Sequence, residues 1–201
     1  YPVAFKTVNK MMLKEENGEK VMSNNPKSNF DTDRLYRNDG DKGFTDVSIE
    51  VGIINRAWGL SAIVSDFNSD GYPDIFVGND YVMPDFLYLN QKNGKFKLAT
   101  EDFFGHTSSH TMGVDVADVN NDQKVDLVAL DMLAEDNFRQ KSLMTTMLED
   151  RYRLMVKHGF MNQLMRNVLQ VNNGNNTFSE VGIFSGISNT DWSWSSLFAD
   201  Y

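Results

Sequence analysis

Three segments of the chain align without a gap: LYRNDGDKGF (35–44), LYLNQKNGKF (87–96) and LQVNNGNNTF (169–178). Each starts with Leu, has Asn fourth and ends on Phe. The same 22-residue step then leads from that Phe to an Asp: Phe44 to Asp66, Phe96 to Asp118, Phe178 to Asp200. A chain that repeats at this period is committed to neighbouring copies of one small unit. Each copy is too small to bury its own apolar face and must pack against the next.

The stretch before each Asp alternates with period two. Its even positions are Leu60, Ala62 and Val64, then Met112, Val114 and Val116, then Trp194, Ser196 and Phe198. This pattern predicts a strand with those residues on its buried face. After the Asp-led loop come DIFVG (74–78) and DLVAL (126–130), apolar runs of the kind that form buried strands. The Leu-to-Phe segment reads as two further strands joined by a Gly- or Asn-rich turn. Each unit is therefore four short strands in roughly 50 residues, the size of a propeller blade. A sandwich fits the strand content but does not predict one Asp-rich loop per unit. The expected fold class is all-β, a β-propeller segment of about three to four blades of four-stranded sheets. Its units span about 35–86, 87–168 and a truncated 169–201. Because the chain breaks off at Tyr201, inside a third loop, residues 1–201 are expected to be a partial propeller from a longer protein.

One unit is longer than the others. The Leu35–Leu87 step is 52 residues and the Leu87–Leu169 step is 82. The excess lies in 131–167, which reads as a helical insertion: Met144, Met147, Leu148, Tyr152, Met155 and Val156 recur at helical spacing. Asp136 or Asn137 caps its start and Gly159 ends it. Its apolar stripe either packs on the domain or presents a Met-rich, adaptable binding surface. Residues 1–34 are polar and read as a long hairpin or an insertion.

The loops DFNSDGYPD (66–74) and DVNNDQKVD (118–126) place oxygen-bearing side chains at positions 1, 3, 5 and 9. That spacing suits a hard cation, because calcium takes six to eight oxygen donors in flexible geometry. The candidate ligands are Asp66, Asn68, Asp70 and Asp74 with the Tyr72 carbonyl, then Asp118, Asn120, Asp122 and Asp126 with the Lys124 carbonyl. Gly71 supplies the sharp turn in the first loop. The second has Gln123 there, which is strained if φ must be positive, so this site is expected to be the weaker. An EF-hand is excluded: its bidentate Glu at position 12 is replaced by Val77 and Ala129, and strands rather than helices follow. Magnesium, which keeps several waters and demands octahedral geometry, fits less well. A solvated Asx turn is the bland alternative for one such loop, but two copies in register weigh against it.

Composition narrows the rest. With 19 basic and 28 acidic residues the net charge is −9, which disfavours nucleic acid. The absence of Cys removes disulfide scaffolds, thiolate zinc sites and a Cys nucleophile. No apolar run is long enough to span a membrane, and the start YPVAFKTVNKMM is not a signal peptide.

Other chemistry-bearing residues have modest expectations. His106 and His110 lack a third zinc ligand and fall in what reads as an ordinary connection. His158 ends the predicted helix and suits its C-terminus. Trp58, His110 and Trp192 share one place, eight residues before a loop Asp; the two Trp either pack or stack on a sugar. Trp194 is expected in the core. Asp115 is expected to face a wet central channel, where glycoside chemistry would need a second acid. No nucleophile-elbow, zincin or P-loop pattern occurs.

These residues resemble the FG-GAP (VCBS) repeats of integrin-α-type β-propellers. DFNSDGYPD and DVNNDQKVD are similar to that family's calcium loop, the second lacking its Gly. LYRNDGDKGFTDVS and LQVNNGNNTFSEVG are similar to its Leu-to-Phe segment. LYRN, DMLAEDNFRQK and SNTDWSWSSLFADY also resemble bacterial secreted or surface proteins related to cartilage acidic protein. The resemblance implies structural calcium, an extracytoplasmic location and a non-enzymatic role in binding or adhesion to a protein or a glycan. The alternative is part of a polysaccharide-degrading lyase or hydrolase built on such a propeller.

Overall fold

The period-two runs become antiparallel sheets in the computed structural model, which describes residues 13–22, 32–143 and 149–199. Strands β1 (Leu13–Glu16) and β2 (Glu19–Met22) form a hairpin, as do β3 (Tyr36–Asn38) and β4 (Phe44–Asp46). A four-stranded meander follows: β5 (Trp58–Ser65), β6 (Asp74–Asp80), β7 (Phe86–Asn90) and β8 (Phe96–Leu98). After β9 (Thr107–Ser108), the second meander uses β10 (Gly113–Ala117), β11 (Asp126–Leu130), β13 (Val168–Asn172) and β14 (Phe178–Glu180). The short β12 (Gln163–Leu164) pairs in parallel with β9. The β3–β4, β7–β8 and β13–β14 hairpins pair in the same register, Asn38 with Phe44, Asn90 with Phe96 and Asn172 with Phe178. The chain is all-β, with few helices.

Alternation along the buried second strands sorts the cores. Phe76 and Leu127 enter the core between the two meanders, with Phe67, Leu87, Phe103, Phe104 and Phe178. The Phe104 and Phe178 rings lie 4.9 Å apart there. Val77 turns the other way, to a core shared with Val47, Val51, Ile53, Phe86 and Tyr88. Val128 turns away on the far side, toward Leu130, Leu169, Ile187 and Phe198. Each sheet thus separates two cores, as stacking of incomplete units requires.

The expected inner face holds for one stretch, fails for another and holds in part for the third, where Phe198 packs on the far core while Trp194 does not. Val114 and Val116 of β10 pack into the central core. In β5 it is Ile63 that packs there, while Leu60, Ala62 and Val64 are exposed, Val64 by 61%. The reason lies in the neighbour. Sheet β5–β8 covers that face of β10, whereas the same face of β5 is left exposed. It walls a cavity of about 360 Å³ with Leu35, Ile53 and Tyr88. Trp194 is likewise 66% exposed rather than core. Residues 194–199 form no strand.

The insertion is helical only in part. Helices span Asn137–Leu143 and Glu149–Lys157; residues 131–136 and 158–167 are turns and short extended pieces. Asp136 caps the first, its Oδ1 accepting the Arg139 N–H at 2.8 Å. Gly159, with φ +80°, closes the second as the Phe160 N–H donates to the Met155 carbonyl. His158 immediately follows that helix. Met144, Met147 and Leu148 lie outside the described residues. Met155 and Phe160 pack on the first core, but Tyr152 and Val156 are exposed, so the stripe is covered only in part.

Candidate metal-binding loops

Both Asp-rich loops connect the first and second strands of a sheet, β5 to β6 and β10 to β11, and so leave the same end of each meander. Their hydrogen bonds superpose. Asp66 Oδ1 and Oδ2 accept the N–H groups of Asp70 and Gly71; Asp118 accepts those of Asp122 and Gln123 in the same way. Asn68 and Asn120 each accept from the fifth-position N–H and donate their amide to that residue's Oδ2. Oδ1 of Asp70 and of Asp122 accepts the N–H of residue seven. Asp74 and Asp126, both fully buried, accept from Phe67 and Val119 with one oxygen and from Asn90 and Asn172 with the other. Paired distances agree to within 0.2 Å.

That last bond explains the fourth-position Asn of the repeated segments. Its N–H anchors the final loop carboxylate. Its side chain ties the turn, Asn90 to the Pro73 carbonyl and Asn172 to those of Val125 and Phe67. The segment and the loop are one construction, although the sequence separates them by 16 residues in one repeat and 46 in the other.

The backbone also repeats. Position 4 is left-handed in both loops (Ser69 φ +57°, Asn121 φ +60°), and so is position 6 (Gly71 φ +85°, Gln123 φ +68°). Gln123 therefore holds the conformation in which a side chain is strained. Burial raises the Asp74 carboxyl above the ordinary range, and the nearby Asp70 and Asp66 charges add to this. Partial desolvation pushes Asp70 up, but hydrogen bonds from Asn68, the Tyr72 N–H and Lys92 outweigh it and leave it low. Asp122 is low as well, held chiefly by its hydrogen bond from Lys124.

The donor set fits calcium. It is all carboxylate, amide and carbonyl oxygen, and a carboxylate has about four lone-pair sites, so the one or two donors that each oxygen accepts leave room for an ion. As the side chains stand, no three carboxylate or imidazole groups among the described residues converge to hold a metal, so loading requires the loop carboxylates to draw together.

The remaining candidates do not assemble a catalytic group. His106 lies against Arg166 and Glu180, which pair at 2.7 Å, while His110 is buried edge-on to Tyr81. The two imidazoles serve different neighbours, not one zinc ion. Asp115 does not face a channel: its Oδ1 accepts the Val116 N–H and its Oδ2 accepts the Phe198 N–H at 2.6 Å, fastening the third repeat to the second. Trp58 packs edge-on to Tyr81 with centroids 6.0 Å apart, and Trp192 is exposed. Sequence reasoning missed Lys92, whose Nζ is 3.4 Å from Asp70 Oδ2. Its signal, a basic residue facing the loop from the next hairpin turn, appears only once the hairpin is placed beside the loop.

A family model for the FG-GAP-like repeat matches the chain twice, at residues 21–77 and 66–129, together more than half its length. Comparison with curated proteins gives no match.

Proposed function

Because the chain belongs to the FG-GAP-like repeat family, whose repeats build β-propeller-like regions, we propose that it is a calcium-stabilised repeat region of a secreted or cell-surface protein. Its role is binding or adhesion, to a protein or a glycan. Within the family it sits beside the bacterial relatives of cartilage acidic protein. The observation that carries the calcium reading is the superposition of the two loops: different sequences keep the same carboxylate scaffold, residue for residue. Carboxylates held this close repel one another, and an ion that binds only the folded loop stabilises the fold by mass action. Calcium at about millimolar, as outside cells, fills sites of this class. No helix among the described residues is long and apolar enough to cross a membrane.

The adhesive role is supported by exposed aromatic surface that includes Trp192, 54% exposed, beside Trp194. Thermal melts test the calcium reading. Adding 2 mM calcium to chelator-treated protein raises the melting temperature by several degrees, and Asp70→Ala or Asp122→Ala each removes part of the rise. An identical melt with and without calcium in the unmodified protein overturns it. For adhesion, Trp192→Ala weakens glycan or protein capture while leaving the melt unchanged.

A further inference from the structure

Each loop receives one lysine ammonium, on the same carboxylate oxygen, but from opposite sides. In the second loop Lys124 is the seventh residue, and its Nζ lies 2.7 Å from Asp122 Oδ2. Its stem crosses the β13–β14 turn at Gly174, where an added Cβ would meet Lys124 Cε at 2.5 Å. In the first loop the seventh residue is Tyr72. The ammonium comes instead from Lys92, which holds in the β7–β8 turn the place of Gly174. Lys92 Nζ passes over the Tyr72 ring, 5.0 Å from its centroid, and reaches to 3.4 Å from Asp70 Oδ2. The pair Tyr72–Lys92 in one repeat has become Lys124–Gly174 in the other. The side chains are exchanged across the gap, and the charge ends on the same atom.

That atom is well chosen. Oδ1 of the fifth-position Asp is taken by the N–H of residue seven, whereas Oδ2 faces only the Asn side chain and the ammonium. A cation entering the loop approaches the carboxylate that the lysine neutralises.

We propose that Lys92 and Lys124 are resident counter-ions of the two loops. At low calcium they neutralise the fifth-position carboxylate and keep the loop folded; calcium then binds against their charge. This rests on the calcium reading above. A unit charge at about 5 Å from a divalent ion in water-like surroundings opposes it by about tenfold in affinity. The shorter Lys124 contact makes the effect larger in the second loop. The lysines thus set a threshold: the loops fill at extracellular calcium and stay folded when it falls.

The test is calorimetric titration with calcium chloride of metal-stripped protein, as the unmodified chain, Lys92→Met, Lys124→Met and the double variant. Each is also melted in chelator. Methionine keeps the stem and the Lys124 carbonyl while removing the charge. Lys124→Met is expected to tighten one site by about tenfold, Lys92→Met the other by less, and both to lower the calcium-free melting temperature. Binding in the double variant where the unmodified chain shows none also supports the proposal. Calcium binding whose affinity is unchanged or weaker in the lysine variants overturns it and leaves the calcium reading standing. Binding in none of the four overturns the calcium reading itself, and the counter-ion role with it.

Discussion

The backbone N–H of Asp131 donates to Asn167 Oδ1 at 2.7 Å, as that of Asn79 donates to Asp85 Oδ1 at 2.8 Å. The positions are equivalent, five residues after the last loop Asp and two before the motif Leu, but carboxyl and amide have changed places. In the first repeat the partners are 6 residues apart; in the second they are 36 apart, with the insertion between them. The clamp holds the ends of the second and third strands together whatever the chain does between them. Asn167 also donates to the Ile187 carbonyl and the Thr190 hydroxyl. Asn167→Ala leaves the buried Asp131 N–H unmet and is expected to cost about 2–3 kcal/mol in urea denaturation.

Asp85 is the buried acid of the other clamp. Burial pushes its carboxyl from 3.8 up to about 7, against the hydrogen bonds from the Asn79 N–H and the Thr111 hydroxyl. The folded state thus favours the protonated form. Its contribution to stability is complete below about pH 4 and is lost as pH rises through 7. Asp33, raised to about 6 by burial, acts in the same sense. Asp85→Asn copies the amide of the second repeat and is expected to stabilise by about 2–3 kcal/mol at pH 8 and hardly at all at pH 4. Denaturation at the two pH values checks it; equal effects would show that Asp85 is not the titrating group.

Gln123 stands at φ +68° where the first loop has Gly71. Gln123→Gly relieves the left-handed strain and is expected to gain about 1 kcal/mol, less what the more flexible unfolded chain takes back. Gly71→Ala, at φ +85°, should lose a similar amount. Thermal melts of both variants in chelator read the backbone effect apart from any ion.

Asn172 joins the two sheets, since its amide reaches the Phe67 carbonyl across 105 residues of sequence. Asn172→Ala is expected to cost about 2 kcal/mol, and hydrogen exchange should show the loss in both loops rather than in the second alone.

Much of this was legible in the sequence, and the exceptions share a cause. The hairpin register, the buried runs 74–78 and 126–130 and the positive φ at Gln123 follow from local pattern, because strand alternation and turn chemistry are set within a few residues. The exposed face of Leu60, Ala62 and Val64 and the exposed Trp194 were misjudged because alternation reports which residues share a face, not whether a neighbour covers it. Residues 131–136 and 158–167 depart from the helix expected over 131–167 because distant partners tie them down, such as the Val82 carbonyl that accepts from the Gln163 amide. Lys92 and Asn90 went unseen as loop residues because a turn one hairpin away brings them there.

The central claim is that the two loops are calcium sites that support the fold. Its most direct test is calorimetric calcium titration of metal-stripped protein, with Asp70→Ala alongside. The account predicts about two sites per chain in the millimolar class, one of them lost in Asp70→Ala. No heat of binding up to several millimolar calcium would contradict it, and the repeated carboxylate scaffolds would then be turns held by their own N–H groups and lysines.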